Sequence, residues 1–355
     1  MLQKRLVQFL LLPFSLLYGL ITGFRNWMYE RGYMRSSKFD LPIIGIGNLS
    51  VGGTGKSPHI EYLIRLLGDY IQLGTLSRGY KRNTVGYRMV TEKGSAAEYG
   101  DEPLQFKRKF PEIPVAVAEN RVSGVTQILM DAPDTQVILL DDAFQHRSIK
   151  PGLQIMLTDY NNLFTRDFLL PSGRLREWRS GYHRADIIIV SKCPENLTLD
   201  KKRKIIAEIN PSTEQQIYFS AYKYGQPYYI FDASYKLDLS VPFELFLLSG
   251  IANTDYLKEY LEPKVKRLIP IEFEDHHHYS NFDIAQMKRL LESLPGDRKA
   301  VITTEKDAMR LEAHRDFLIR DNLPVFVLPI EVYFLFAEKD EFDQRIKDFL
   351  LEFKS

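Results

Sequence analysis

A chain of 355 residues with a formal net charge of +1 has no global electrostatic pull toward nucleic acid, and it exceeds the length that one core usually serves. Two domains plus an appendage is the expected organisation. A single cysteine, Cys193, excludes an internal disulfide and fits a reducing compartment.

Residues 6–24 carry no charge and are dominated by Leu, Ile, Val and Phe, a length that just reaches the ~20 residues needed to span a bilayer. Gln8 and Pro13 weaken a spanning helix, whereas Lys4, Arg5, Arg25, Arg31 and Arg35 flank it with charge suited to anionic headgroups. No small-x-small cleavage site follows, so this is not a signal peptide. Residues 1–36 are read as a membrane-associating helix, spanning or interfacial; the alternative is a helix buried on the body.

Ile43, Ile44 and Ile46 mark a short buried strand, and the glycine-rich run behind it turns backbone N–H groups inward as a nest for phosphate oxygens. Asn48, Ser50, Gly52, Gly53, Thr54, Gly55, Lys56 and Ser57 form the expected triphosphate cradle, with Lys56 as point charge and the Ser57 hydroxyl for Mg2+. Pro58 suits the first turn of the helix that follows, and Ile60, Leu63, Ile64 and Leu67 give that helix an apolar face. Ser50 stands where the P-loop pattern wants its first glycine.

A second apolar run, 71–76, leads into Ser77-Arg78-Gly79-Tyr80, a basic turn at a strand's carboxyl end, where open α/β sheets bind ligands. Gly100-Asp101-Glu102-Pro103 opens a helix carrying Leu104, Phe106 and Phe110; either acid could be only a helix-start residue favoured by the dipole. After a strand at 115–118 and a helix at 121–130, the strand 137–142 ends in Asp141-Asp142, the carboxylates that a Walker B strand delivers to Mg2+. His146 follows at the same edge. Between strands at 153–158 and 187–190, the arginines of Gly173-Arg174-Leu175-Arg176-Glu177-Trp178-Arg179 suit a phosphate clamp or a solvated basic loop. Pro194 occupies the place of the guanine-reading aspartate of GTPases, which favours ATP.

The fold class is therefore α/β: a P-loop NTPase-like parallel sheet domain at 37–216, a two-stranded β linker at 217–236 formed by 217–224 and 228–231, and a smaller C-terminal α/β domain at 237–355. In the last, strands are expected at 245–248, 265–271, 300–303 and 325–328, and helices at 255–261 and 282–294. The closing helix, with Phe342, Ile346, Phe349, Leu350 and Phe353, is read as core-packing. Asp275-His276-His277-His278 cannot converge on one metal from one strand, but an Asp–His unit facing the nucleotide domain suits proton transfer. Thr304-Glu305-Lys306-Asp307 is a polar cluster or a helix cap.

Together these motifs resemble the tetraacyldisaccharide 4'-kinases of lipid A biosynthesis, in the family's order over nearly the whole chain; Ala143 departs from an expected glycine. The resemblance implies transfer of the ATP γ-phosphoryl to the 4'-hydroxyl of a tetraacylated glucosamine disaccharide 1-phosphate, giving lipid IVA, at the cytoplasmic face of the inner membrane. It implies Asp101 as base, aided by His276 beside Asp275; Lys56 on the phosphates; Ser57, Asp141 and Asp142 on Mg2+; and Ser77, Arg78, Tyr80, His146, Arg174, Arg176 and Glu177 around the substrate. Since Asp101 and His276 lie in different domains, closure of the cleft is expected to assemble them. The alternatives are another membrane-docked P-loop nucleotide hydrolase or small-metabolite kinase, and a non-enzymatic scaffold that binds ATP.

Overall fold

Two largely parallel sheets, each covered on both faces, account for the near-continuous apolar strands. The computed structural model describes residues 2–354 except Pro242, Pro295 and Asp297, without the side chains of residues 2–6 and 354, so the flanking side chains of Lys4 and Arg5 lie outside what is described.

Among the described residues the first sheet has nine strands, in the spatial order Ile330–Phe334, Gln216–Tyr224, Ile187–Ser191, Leu153–Asp159, Ile43–Asn48, Val137–Asp141, Leu73–Ser77, Val115–Val117 and Arg88–Met89. The two outermost pairings are antiparallel and the others parallel. Ile44 and Ile46 face the helix Lys56–Leu67 through Ile60, Leu63 and Ile64, while Ile43 joins Val125 and Ile128 of the helix Arg121–Asp131 on the opposite face, the period of two that a strand imposes. Because Ile43–Asn48 and Val137–Asp141 are parallel neighbours, the phosphate loop and the two aspartates emerge side by side.

The second sheet runs Asp232–Lys236, Tyr228–Tyr229, Val325–Leu328, Lys299–Thr304, Glu244–Ser249 and Arg267–Glu272, its last four strands parallel. The expected strands and helices of both halves appear within two residues at either end.

The two strands expected at 217–224 and 228–231 are present, but they do not pair with each other as a ribbon; each joins a different sheet. Gln216–Tyr224 joins the first sheet and pairs antiparallel with Ile330–Phe334, an unexpected strand, whereas Tyr228–Tyr229 pairs into the second sheet. The chain thus crosses out at Tyr224 and back at Ile330, and the Gly225 N–H donates to Pro329 O (3.0 Å) to tie the crossings together. The domain expected at 237–355 consequently loses its last segment: Phe334, Phe342, Ile346 and Phe349 lie in the core of the first sheet with Ile60 and Leu63. Phe353, expected in that core, is 38% exposed, one turn beyond the sheet.

The N-terminal helix Leu2–Glu30 runs through Pro13 and is docked by one stripe only. Ser15 Oγ donates to Leu169 O (3.0 Å), Trp178 Nε1 to Gly19 O (2.7 Å), Tyr18 OH to Arg176 O (2.8 Å) and Asn26 Nδ2 to Glu177 Oε2 (2.7 Å). A Cβ on Gly19 would stand 2.6 Å from the Trp178 ring, so the close approach requires glycine. Phe9, Leu10, Phe14, Leu17, Leu20, Ile21 and Phe24 are left exposed, which removes the buried-helix alternative. Among the described residues this is the one helix long and apolar enough to cross a membrane.

Candidate active site

The phosphate loop is shaped by its glycines and by a neighbouring loop. Gly52 and Gly55 have φ of +102° and +87°, and a Cβ on Gly55 would stand 2.4 Å from the Tyr222 hydroxyl oxygen. At Ser50 no glycine is needed, because this half of the loop is paired: Val51 N–H donates to Arg174 O (2.7 Å) and Arg176 N–H to Leu49 O (2.8 Å). That pairing explains the incomplete motif.

Lys56 Nζ lies 3.5 Å from Asn48 Oδ1 and 3.4 Å from Asp142 Oδ1. The Arg176 fork donates to both oxygens of Asp142 (2.9 and 2.8 Å) and reaches Asn48 O (3.0 Å) and Asn48 Oδ1. Burial raises the Asp142 carboxyl, but Lys56 and Arg176 outweigh it and hold the group far below the usual carboxylate range. Asp141 differs although it is adjacent. It is buried, accepts from Ser77 Oγ at Oδ2 (3.2 Å), and has no partner at Oδ1. Burial and the Glu102 charge push its pKa up to about 7 against the pull of Lys56.

On the facing side, Ser57 Oγ donates to Glu102 Oε1 (2.8 Å), and Lys306 of the second sheet's domain donates to the same oxygen. Asp101, buried at the start of the helix Asp101–Lys109, places Oδ2 2.9 Å from His276 Nδ1 and accepts the Glu102 N–H at Oδ1 (3.0 Å). Burial raises this carboxyl too, but the hydrogen bond and charge of His276, with Lys306 and Arg310, hold it well below its ordinary value. His276 is held by its own N–H to Gly250 O (2.9 Å), and its ring meets Tyr80 edge-on at 5.1 Å. Lys81 Nζ donates to Asp275 O (3.1 Å), and the Asp275 carboxylate stands 3.9 Å from His276 Nε2. The sequence reading assembles Asp101 and His276 by closure of the cleft; here the two groups are already in contact.

These groups surround one cleft of about 440 Å³, lined by the phosphate loop, Ser77, Arg78, Tyr80, Asp141, Asp142 and Arg176 on one side and by Asp275, His276 and Lys306 on the other. Arg174 is not among them: its guanidinium turns out to Asp167 (3.3 Å) and is half exposed. Arg179 likewise donates to Asp167 O. Glu177 is a buried strut that accepts from Asn26, Gln145 and Arg184 (2.7, 2.9 and 2.9 Å), linking the N-terminal helix to the Asp142 loop. His146 is kept neutral, its pKa lowered to about 4 by burial and by Arg121 and Arg78.

The family model for tetraacyldisaccharide-1-P 4'-kinase matches residues 7–351. The chain belongs to the tetraacyldisaccharide 4'-kinase family. A tetraacyldisaccharide 4'-kinase of Bacteroides thetaiotaomicron is 44% identical over 96% of this chain and 93% of its own, and one of Flavobacterium johnsoniae 43% identical over 98% of each. A solved structure of the Aquifex aeolicus family member LpxK, in complex with ATP, superposes with a TM-score of 0.74 at 30% identity, covering 97% of this chain and 99% of its own.

This chain is therefore a kinase, and in it sequence reasoning overlooked Glu102, Lys306 and Lys192 as cleft residues. Glu102 had a signal, since it adjoins Asp101 in the first turn of one helix, whose start faces the loop. Lys306 had only the polar cluster at 304–307. Lys192 Nζ is 3.0 Å from Asp159 Oδ2 and also meets Gly53 O, so it braces the phosphate loop from the end of the strand Ile187–Ser191.

Proposed function

We propose that this kinase transfers the γ-phosphoryl group of ATP to the 4'-hydroxyl of a tetraacylated glucosamine disaccharide 1-phosphate at the cytoplasmic face of the inner membrane. The observation that carries this reading is the Asp101–His276 contact: His276 lines the same cleft as Lys56 and is hydrogen-bonded to Asp101, a buried proton acceptor. Phosphoryl transfer asks the protein mainly for positioning and charge neutralisation. Lys56 and the loop amides hold the transferring phosphates, and Asn48 and Asp142 hold Lys56 in place. Asp101, already ionised and oriented by His276, takes the proton of the sugar hydroxyl as the new bond develops.

The donors fit Mg2+, a hard cation that usually takes one or two carboxylates together with substrate phosphates. Asp141 has a buried oxygen without a partner and a charge that its surroundings do not balance, whereas both oxygens of Asp142 are taken by Arg176. Asp141 and Ser57 would thus hold the ion, with Asp142 setting the charge behind it. Bound Mg2+ neutralises charge on the transferring phosphates. Asp141→Asn is accordingly expected to abolish turnover yet stabilise the nucleotide-free protein at pH 8, by on the order of 1–3 kcal/mol. The folded-state pKa of Asp141 is raised, so its ionisation costs stability above pH 7 and the cost fades as pH falls toward 4. Thermal melts at pH 8 and pH 5 check this: the gain is larger at pH 8 than at pH 5.

The docked apolar helix supports an acceptor drawn from the bilayer. Removal of residues 1–35 is expected to release the protein from vesicles and to raise KM for the lipid more than KM for ATP; vesicle binding retained by the truncated protein would count against the assignment. The reading as a whole is tested by incubating the protein with γ-labelled ATP and tetraacyldisaccharide 1-phosphate in mixed micelles. Label in the glycolipid supports it, and phosphate release alone, or no turnover, overturns it.

A further inference from the structure

The second domain carries a buried framework behind His276 that neither the P-loop motif nor the Asp101–His276 contact accounts for. Asp307 is fully buried, and its Oδ1 accepts from Gly250 N–H (3.0 Å), from Tyr279 OH (2.7 Å) and from Arg310 Nη2 (2.5 Å). Arg310 Nη2 also donates to Gly250 O (3.0 Å), the same carbonyl that accepts the His276 N–H (2.9 Å). Gly250 is therefore held on both sides, by Asp307 on its N–H and by Arg310 on its carbonyl.

That clamp matters because His276 has φ of +59°, a left-handed conformation that a residue with a Cβ rarely keeps unless its surroundings impose it. The remaining nitrogens of Arg310 point elsewhere. Nε and Nη1 are buried without a hydrogen-bond partner, and Nη1 stands 4.0 Å from Asp101 Oδ2, the oxygen that His276 Nδ1 engages. One guanidinium thus touches the anchor of the imidazole and lies within 4.0 Å of the carboxylate that the imidazole engages.

We propose that Arg310, oriented by Asp307, is a positioning residue for phosphoryl transfer: it fixes His276 through the Gly250 carbonyl and draws Asp101 Oδ2 by its charge. This rests on the reading of Asp101 and His276 as the base. Arg310 contributes to Asp101 only through the pair, so its effect on rate vanishes when the pair is gone, whereas a merely structural role would persist. A lysine at 310 keeps an ammonium on Asp307 but cannot reach Gly250 O and Asp101 together, because it lacks the planar fork.

The test is a double-mutant cycle in the full-length protein, with kcat and KM measured for ATP and for the lipid. Arg310→Lys is expected to fold as the wild type does, by circular dichroism, and to lower kcat about 10-fold with both KM values within twofold; Arg310→Met lowers it further. In an Asp101→Ala background, Arg310→Lys should change the residual kcat by less than twofold. Wild-type kcat for Arg310→Lys, a loss that appears in KM, or an equal loss in both backgrounds would each overturn the proposal. If Asp101→Ala itself proves fully active, the reading of the base fails instead, and the two failures are told apart.

Discussion

Lys56→Met is expected to lower kcat by about 10²–10³, the usual cost of removing one preorganised charge from the transferring group. Methionine keeps most of the stem volume, so the strand and helix on either side stay packed. What is lost is the Lys56 ammonium, held 3.5 Å from Asn48 Oδ1 and 3.4 Å from Asp142 Oδ1. Arg176 cannot replace it, since its fork is committed to Asp142 and Asn48. Asp142 keeps Arg176 and remains ionised, so the variant folds. ATP affinity falls as well, and single-turnover rates at saturating ATP separate the two effects. A variant that regains wild-type rate at saturating ATP would reduce Lys56 to a binding group.

Asp101→Ala is expected to lower kcat by 100-fold or more, about 2.7 kcal/mol in barrier height at 1.36 kcal/mol per decade, while ATP affinity barely changes. Glu102 lines the cleft and Asp101 does not, so nucleotide binding has no reason to feel its loss. His276 loses the acceptor of its Nδ1 proton, and Lys306 keeps Glu102. Nucleotide titration beside lipid phosphorylation rates checks the split. Parallel losses in ATP affinity and rate would mean that the carboxylate only supports the fold.

Much of this architecture is legible locally, because a parallel strand buried on both faces declares itself by composition and its ligand-bearing end by the glycines that follow. The two-sheet division, the phosphate loop and the Asp141-Asp142 pair needed no long-range information. Three features did. Ile330–Phe334 alternates apolar and polar residues as a strand should, but only the Pro329–Gly225 contact sends it back to the first sheet and makes it the partner of Gln216–Tyr224. Arg174 and Arg176 are two residues apart in one loop and look equivalent as a clamp; the pairing of that loop with Leu49 and Val51 puts one guanidinium into the cleft and the other against Asp167. Lys306 and Arg310 are ordinary helix cations by spacing, and only the meeting of two domains places them beside Glu102 and Asp101.

The central claim is that a carboxylate and an imidazole from two domains act as one base. In the wild type, His276, Lys306 and Arg310 keep the Asp101 carboxyl ionised well below neutral pH. His276→Ala removes the hydrogen bond and the charge that lower this pKa most, and leaves burial pushing it up. The acid limb of kcat/KM for the lipid is therefore predicted to move to higher pH in His276→Ala, with kcat reduced less than in Asp101→Ala. Coincident acid limbs in the two proteins would contradict the account.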